Sequence, residues 1–246
     1  GSMNTARFGN RNAGTQTAAI TFGGNTPPVS ALNELYDGSS WTEVGDLNTA
    51  RDNMGGLGTS TAALAVGGNT GSRVAINESW NGTAWTELND LNTARKSLAA
   101  AGSTTAAIAF AGDTPPISKL NESWNGTSWT EVGDMNTARQ LLMGGGTATS
   151  ALAVGGEITA DSALNESWDG TAWTELNDLN TARRDGAAAI HDNTSGIVFG
   201  GTEPKKANTE NWNGSSWTEL GDLSAGVASN GGNGNSRLAL NAGGDV

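Results

Sequence analysis

The sequence predicts an all-β fold built from one repeated unit. Landmarks recur every 44 residues: Trp41, Trp85, Trp129, Trp173 and Trp217, with Glu34, Glu78, Glu122, Glu166 and Glu210, and Arg7, Arg51, Arg95, Arg139 and Arg183. Each repeat divides into short strand-like segments separated by turn pairs. No stretch carries apolar residues at the sustained i, i+3, i+4 spacing of an amphipathic helix. Fixed periods in this range mark repeat architectures, which bury their cores between successive units.

The unit 48–91 shows the elements in order. "NTARDNMGGLGTS" opens with a polar turn and runs into small residues, the first strand. "AALAVGG", from Ala62 to Gly68, is a short apolar strand ended by a glycine pair. "NTGSRVAI" is a loop leading into "NESW", the third strand. "NG" then separates it from "TAWTEL", the fourth. Asn-Gly and Asp-Gly pairs favour type I′ hairpin turns, because both central residues need positive φ. They stand at Asp37-Gly38, Asn81-Gly82, Asn125-Gly126, Asp169-Gly170 and Asn213-Gly214.

Four strands in a unit of about 40–50 residues make a propeller blade. The small-residue run suits the innermost strand, where blades crowd at the axis: Met54-Gly55-Gly56, Ala99-Ala100-Ala101, Gly144-Gly145-Gly146 and Gly186-Ala187-Ala188. The aromatic pair, Tyr36 or a Trp followed by a second Trp, is expected to fill the wedge between blades. The Glu of each "WTE" is expected on the outermost strand, where a charge discourages edge-to-edge pairing. An Arg opening the first strand, an apolar strand ending in Gly-Gly, then an aromatic residue and a Trp resemble the kelch repeat, across nearly the whole chain. The closer spacing of the two aromatic positions implies a tighter outer hairpin. Similar near-identical arrays occur in virion proteins of marine phages. That resemblance implies a virion or extracellular setting.

Five full units cover 4–47, 48–91, 92–135, 136–179 and 180–223, and 224–246 matches the first half of another, all within a single domain 1–246. "RLALNAGG", Arg237 to Gly244, is its second strand, and Val227 stands where the other units have Arg. Units alternate: Ser40, Ser128 and Ser216 precede the Trp in odd units, Ala84 and Ala172 in even ones. A ring of six positions keeps the alternation, with Val227 to Gly244 supplying two inner strands beside the first blade. A five-bladed ring with an overhanging half unit is the alternative.

Composition narrows the function. The net charge of −12 repels phosphate backbones and excludes general nucleic-acid binding. No apolar run is long enough to cross a membrane as a helix. No basic-then-apolar leader opens the chain, and Gly1-Ser2-Met3 reads as a cloning remnant. Cysteine is absent, so disulfides and thiol chemistry are excluded. The copper oxidase of the kelch family needs Tyr, His and Cys, so that activity is excluded as well. The one histidine, His191, stands in the turn "HDNTS", with no second His to share a metal. "SWDGTAW", Ser167 to Trp173, approaches the aspartate box of sialidases, but its glycine follows the aspartate directly and the segment reads as a hairpin turn. We therefore expect no catalytic residues, no metal and no cofactor.

Two features stand above this background. The first is the arginine ring of Arg51, Arg95, Arg139 and Arg183, with Arg7. Its structural reading is that each Arg bonds a neighbouring blade's carboxylate or loop carbonyls, or stacks on a Trp. Its functional reading is an anion-binding funnel. The second is the loop after the glycine pair: "NTPPVSAL", "NTGSRVAI", "DTPPISKL", "EITADSAL" and "TEPKKANT". These loops differ while the scaffold repeats, which is how binding surfaces are built. They bring Arg73, Lys119 and Lys205 as candidate ligand contacts beside the arginine ring. The expectation is a non-enzymatic module presenting these loops to a glycan or protein partner, as a monomer or weakly self-associating through the half blade. A structural, self-assembling repeat unit is the alternative.

Overall fold

The computed structural model describes residues 2–202, 204–235 and 238–245, so Glu203 and Arg237 lie outside the described residues. Every regular element described is a strand. The first blade comprises β1 (Arg11–Thr15), β2 (Ala18–Phe22), β3 (Asn33–Tyr36) and β4 (Trp41–Glu43). The second comprises β5 (Gly55–Thr59), β6 (Ala62–Val66), β7 (Asn77–Trp80) and β8 (Trp85–Glu87). The third holds β9 (Ala99–Gly102), β10 (Ala107–Phe110), β11 (Asn121–Trp124) and β12 (Trp129–Glu131). The fourth holds β13 (Met143–Thr147), β14 (Ser150–Val154), β15 (Asn165–Trp168) and β16 (Trp173–Leu176). The fifth holds β17 (Ala187–Asp192), β18 (Ser195–Phe199), β19 (Thr209–Trp212) and β20 (Trp217–Glu219). A two-stranded sheet, β21 (Gly231–Asn235) and β22 (Leu238–Ala242), follows. Within each blade neighbouring strands pair antiparallel in chain order.

This is a propeller of five four-stranded blades and one two-stranded sheet, as expected. Both sequence readings contain five complete blades and differ only in where the half unit goes. Strand β21 packs against β17 on one side and β1 on the other, so six inner strands surround the axis. A backbone chain passes round them: the amides of Asn53, Ser97, Leu141, Asp185, Ser229 and Gly9 each donate to the carbonyl of the equivalent residue one unit earlier, and Gly9 returns to Ser229, at 2.7–3.0 Å. All six have φ between 52° and 65°. This left-handed conformation is unusual outside glycine, and it aims each amide at the next blade.

The interfaces between full blades are apolar. Ile20 and Phe22 of the first blade pack on Trp80 and Trp85 of the second. Leu64 and Val66 meet Trp124 and Trp129, Ile108 and Phe110 meet Trp168 and Trp173, and Leu152 and Val154 meet Trp212 and Trp217. Phe22 stands edge-on to Trp85 with centroids 5.0 Å apart. The aromatic pairs thus fill the wedges between blades, and each spans its hairpin, as Trp80 faces Trp85 across β7 and β8. The Thr and Glu of each "WTE" strand are exposed.

Closure at the two-stranded sheet is more polar. Asn233 Nδ2 donates to the Ala13 carbonyl at 3.1 Å, and Asn10 Nδ2 to the Ala242 carbonyl at 3.3 Å. The Ser229 hydroxyl bonds the Asp185 carboxylate. On the rim beside this sheet Leu220 is 46 % exposed, whereas its counterparts Val44, Leu88, Val132 and Leu176 pack against the next blade.

Candidate functional site: the loop face and the axis

The β2–β3 loop of each blade and the connections between blades lie on one face. Beneath it sit the arginines. The Arg7–Glu34 pair is 2.7 Å apart, Arg95–Glu122 3.1 Å, Arg139–Glu166 2.8 Å and Arg183–Glu210 2.6 Å, and Arg51 pairs with Glu78, with no exposed side-chain surface in any pair. The partner is the glutamate of the arginine's own blade, which corrects the expected pairing with a neighbouring blade. The reason is the path of the side chain. Arg51 crosses the second strand, donating to the Ala65 carbonyl at 3.0 Å, before it meets the third. The neighbour is engaged by the backbone instead: the Arg51, Arg95, Arg139 and Arg183 carbonyls accept from Gly24, Gly68, Gly112 and Gly156 of the preceding blade at 2.8–2.9 Å. Val227 keeps this backbone bond, with Gly201 at 2.8 Å, without a guanidinium.

Each glutamate is held from its other side too. Asn48, Asn92, Asn136 and Asn180 donate amide and side-chain N–H to Oε2 of Glu78, Glu122, Glu166 and Glu210 at 2.7–3.0 Å. Burial pulls the arginine pKa values below the ordinary guanidinium value, and the paired glutamates oppose that shift. Arg51, Arg95, Arg139 and Arg183 are therefore structural ties: their guanidinium groups are enclosed and line no funnel. This corrects their assignment as ligand contacts.

The loops above them are braced across several blade boundaries by side chains that differ from one boundary to another. Arg73 Nη2 meets Asp113 of the next blade at 2.8 Å. Arg184 meets Glu157 at 2.9 Å and Asp161 at 3.3 Å, and Lys206 reaches Asp161 at 3.1 Å. Within the fourth blade Gln140 donates to Glu157 at 2.9 Å. Lys205 meets Asp245 at 3.0 Å, while Lys119 lies a loose 3.9 Å from Asp134. The Lys119 side chain is the most exposed of the three, while those of Lys205 and Arg73 are partly covered. The loop tips stand out of this frame, with Pro27, Pro28, Pro115 and Pro116 exposed and Ile158 at 40 %.

The sequence reading missed Arg184, Glu157 and Asp161, although Arg184 directly follows a repeated arginine at a position that reads Asp52, Lys96 and Gln140 elsewhere. It also missed Arg11, whose equivalents are Gly55, Ala99, Met143, Ala187 and Gly231. Arg11 lines the loop-face end of the axial channel with Asn12 and Asn230. The opposite end is lined mostly by Gly and Ala, with Asn12, Ile190, Asn233 and His191, whose side chain is 72 % exposed. Asp169 of the sialidase-like segment accepts the Thr171 and Ala172 amides at 2.8 and 2.9 Å, a turn closure that holds its pKa low. Among the described residues no group of three or more His, Cys, Asp or Glu is placed to hold a metal. No protein-family model matches the chain, and no curated protein matches it.

Proposed function

We propose that the protein is a non-enzymatic recognition module of kelch type that presents its loop face to a glycan or protein partner. The carrying observation is the contrast between a scaffold tied the same way in each full blade and loops braced by different ion pairs, Arg73–Asp113 at one step and Arg184–Glu157 at another. Bracing cuts the ordering cost of binding, and unlike loops on like supports give a face no two sectors of which are equivalent. Exposed prolines at two tips and Ile158 at a third supply rigid apolar contact among polar groups. The resemblance of the array to phage virion proteins supports a place in a virion fibre, where many copies would raise weak binding through avidity.

A glycan array, followed by affinity measurement on each hit, tests this. Ile158→Ser together with Lys119→Ala on the loop face is expected to weaken binding by about tenfold or more, while Thr61→Ala and Thr149→Ala on the opposite face leave it unchanged. Binding that follows the opposite-face substitutions would overturn the reading. The rim supports a second reading, self-assembly, because Leu220 is exposed beside the outer edge of β22. Light scattering that shows concentration-dependent oligomers abolished by Leu220→Ser would favour it.

A further inference from the structure

We propose that the loop-face end of the axis is a binding site for a small oxyanion of the carboxylate class, held by Arg11 and Asn12. Five of the six axial positions carry Gly, Ala or Met, and the sixth carries a guanidinium. Arg11 makes one hydrogen bond, Nη1 to the Asn10 carbonyl at 2.9 Å, and among the described residues it joins no ion pair. Asp185 and Asp52 act on it only at longer range, while burial pulls its pKa below the ordinary value. Arg11 is partly exposed to the axial channel and keeps guanidinium donors free there, and a charge-assisted bond to an anion would use them.

Asn12 adds a second donor. Asn10 Nδ2 donates to Thr21 Oγ1 at 2.8 Å and faces the Ala242 carbonyl, an acceptor, at 3.3 Å. The same Nδ2 lies 3.2 Å from Asn12 Oδ1. This leaves Asn12 Nδ2 as a donor without an acceptor, on a residue 6 % exposed that lines the same cavity. Asn230, 3 % exposed, presents an unpartnered Oδ1 to which a ligand hydroxyl could donate. The cavity is about 60 Å³, room enough for a carboxylate group. Two donors and one acceptor in that space fit a carboxylate bearing a neighbouring hydroxyl. Such a group occurs in a free hydroxy acid and as the acidic end of a sugar standing on the loop face.

The test is thermal melting of the whole chain at constant ionic strength with sodium acetate, sodium lactate or sodium glucuronate. Wild type is expected to gain melting temperature saturably with each anion, as ligand binding to the folded state requires. Arg11→Gly, which installs the residue of the second blade, is expected to lose the gain, and Arg11→Lys to keep part of it. Lactate saturating at or below the glucuronate concentration assigns a free acid; glucuronate saturating about tenfold lower assigns a sugar carboxylate. Line broadening of ¹³C-acetate by wild type and Arg11→Gln gives the same comparison if the glycine variant does not fold. No saturable gain in wild type, or an equal gain in Arg11→Gly, overturns the proposal.

Discussion

Arg139 shows how much one side chain carries. It donates to the Gly155 and Leu164 carbonyls at 2.8 and 2.7 Å and meets Glu166 at 2.8 Å, with no exposed side-chain surface. Removing one member of such a pair leaves a buried charge and several backbone acceptors without donors. Arg139→Met is therefore expected to cost about 3–5 kcal/mol in urea unfolding. Arg139→Met combined with Glu166→Leu should cost clearly less than the single change, because no lone carboxylate is left. A double variant as unstable as the single one would show that the carbonyl contacts and the Asn136 bonds to Glu166, not the ion pair, dominate. The sequence announced these residues by their period but could not pair them. Arg51 stands 27 residues before Glu78 and 17 after Glu34, and spacing does not choose between the two. The choice is made by the Ala65 carbonyl on the way to the third strand.

At the scale of the element, the inner strands are small because the next blade is already there. A Cβ on Gly144 would lie 2.8 Å from Ala99 Cβ and 2.8 Å from the Phe110 ring of the third blade. Gly221, on the rim, has nothing within 4 Å. Gly144→Val is thus expected to lower stability by about 1–3 kcal/mol through overpacking, while Gly221→Val changes it by less than about 0.5 kcal/mol. Equal effects in thermal melting would contradict the account of the wedge. These strands, their hairpins and the aromatic wedge were legible because each unit repeats the same turn pair and the same small-residue run. The bracing of the loops was not. Arg184, Glu157 and Asp161 occur once each, so periodicity is silent about them, and their meeting depends on how far neighbouring loops lean together. Arg11 escaped for a related reason: a single departure from a Gly and Ala pattern gives no repeating signal.

At the scale of the molecule, the account rests on a closed ring that holds the loop face rigid. Four of the interfaces are closed by aromatic and aliphatic packing. The two flanking β21 and β22 rely more on amides, including Asn10 and Asn233, and on backbone bonds. The half unit could be recognised in the sequence from its glycine pair and second strand, and alternation of the units favoured a sixth position beside the first blade, but the sequence left an overhang on a five-bladed ring as the alternative. The backbone chain through Gly9, Asn53, Ser97, Leu141, Asp185 and Ser229 fixes that place, since it closes only if Ser229 stands between Asp185 and Gly9. Native-state hydrogen exchange at these six amides is the direct measurement. The account predicts protection at all six, with Gly9 and Ser229 exchanging far more slowly than in an unfolded chain. Gly9 and Ser229 exchanging at the unfolded rate while the other four remain protected would contradict closure by the two-stranded sheet.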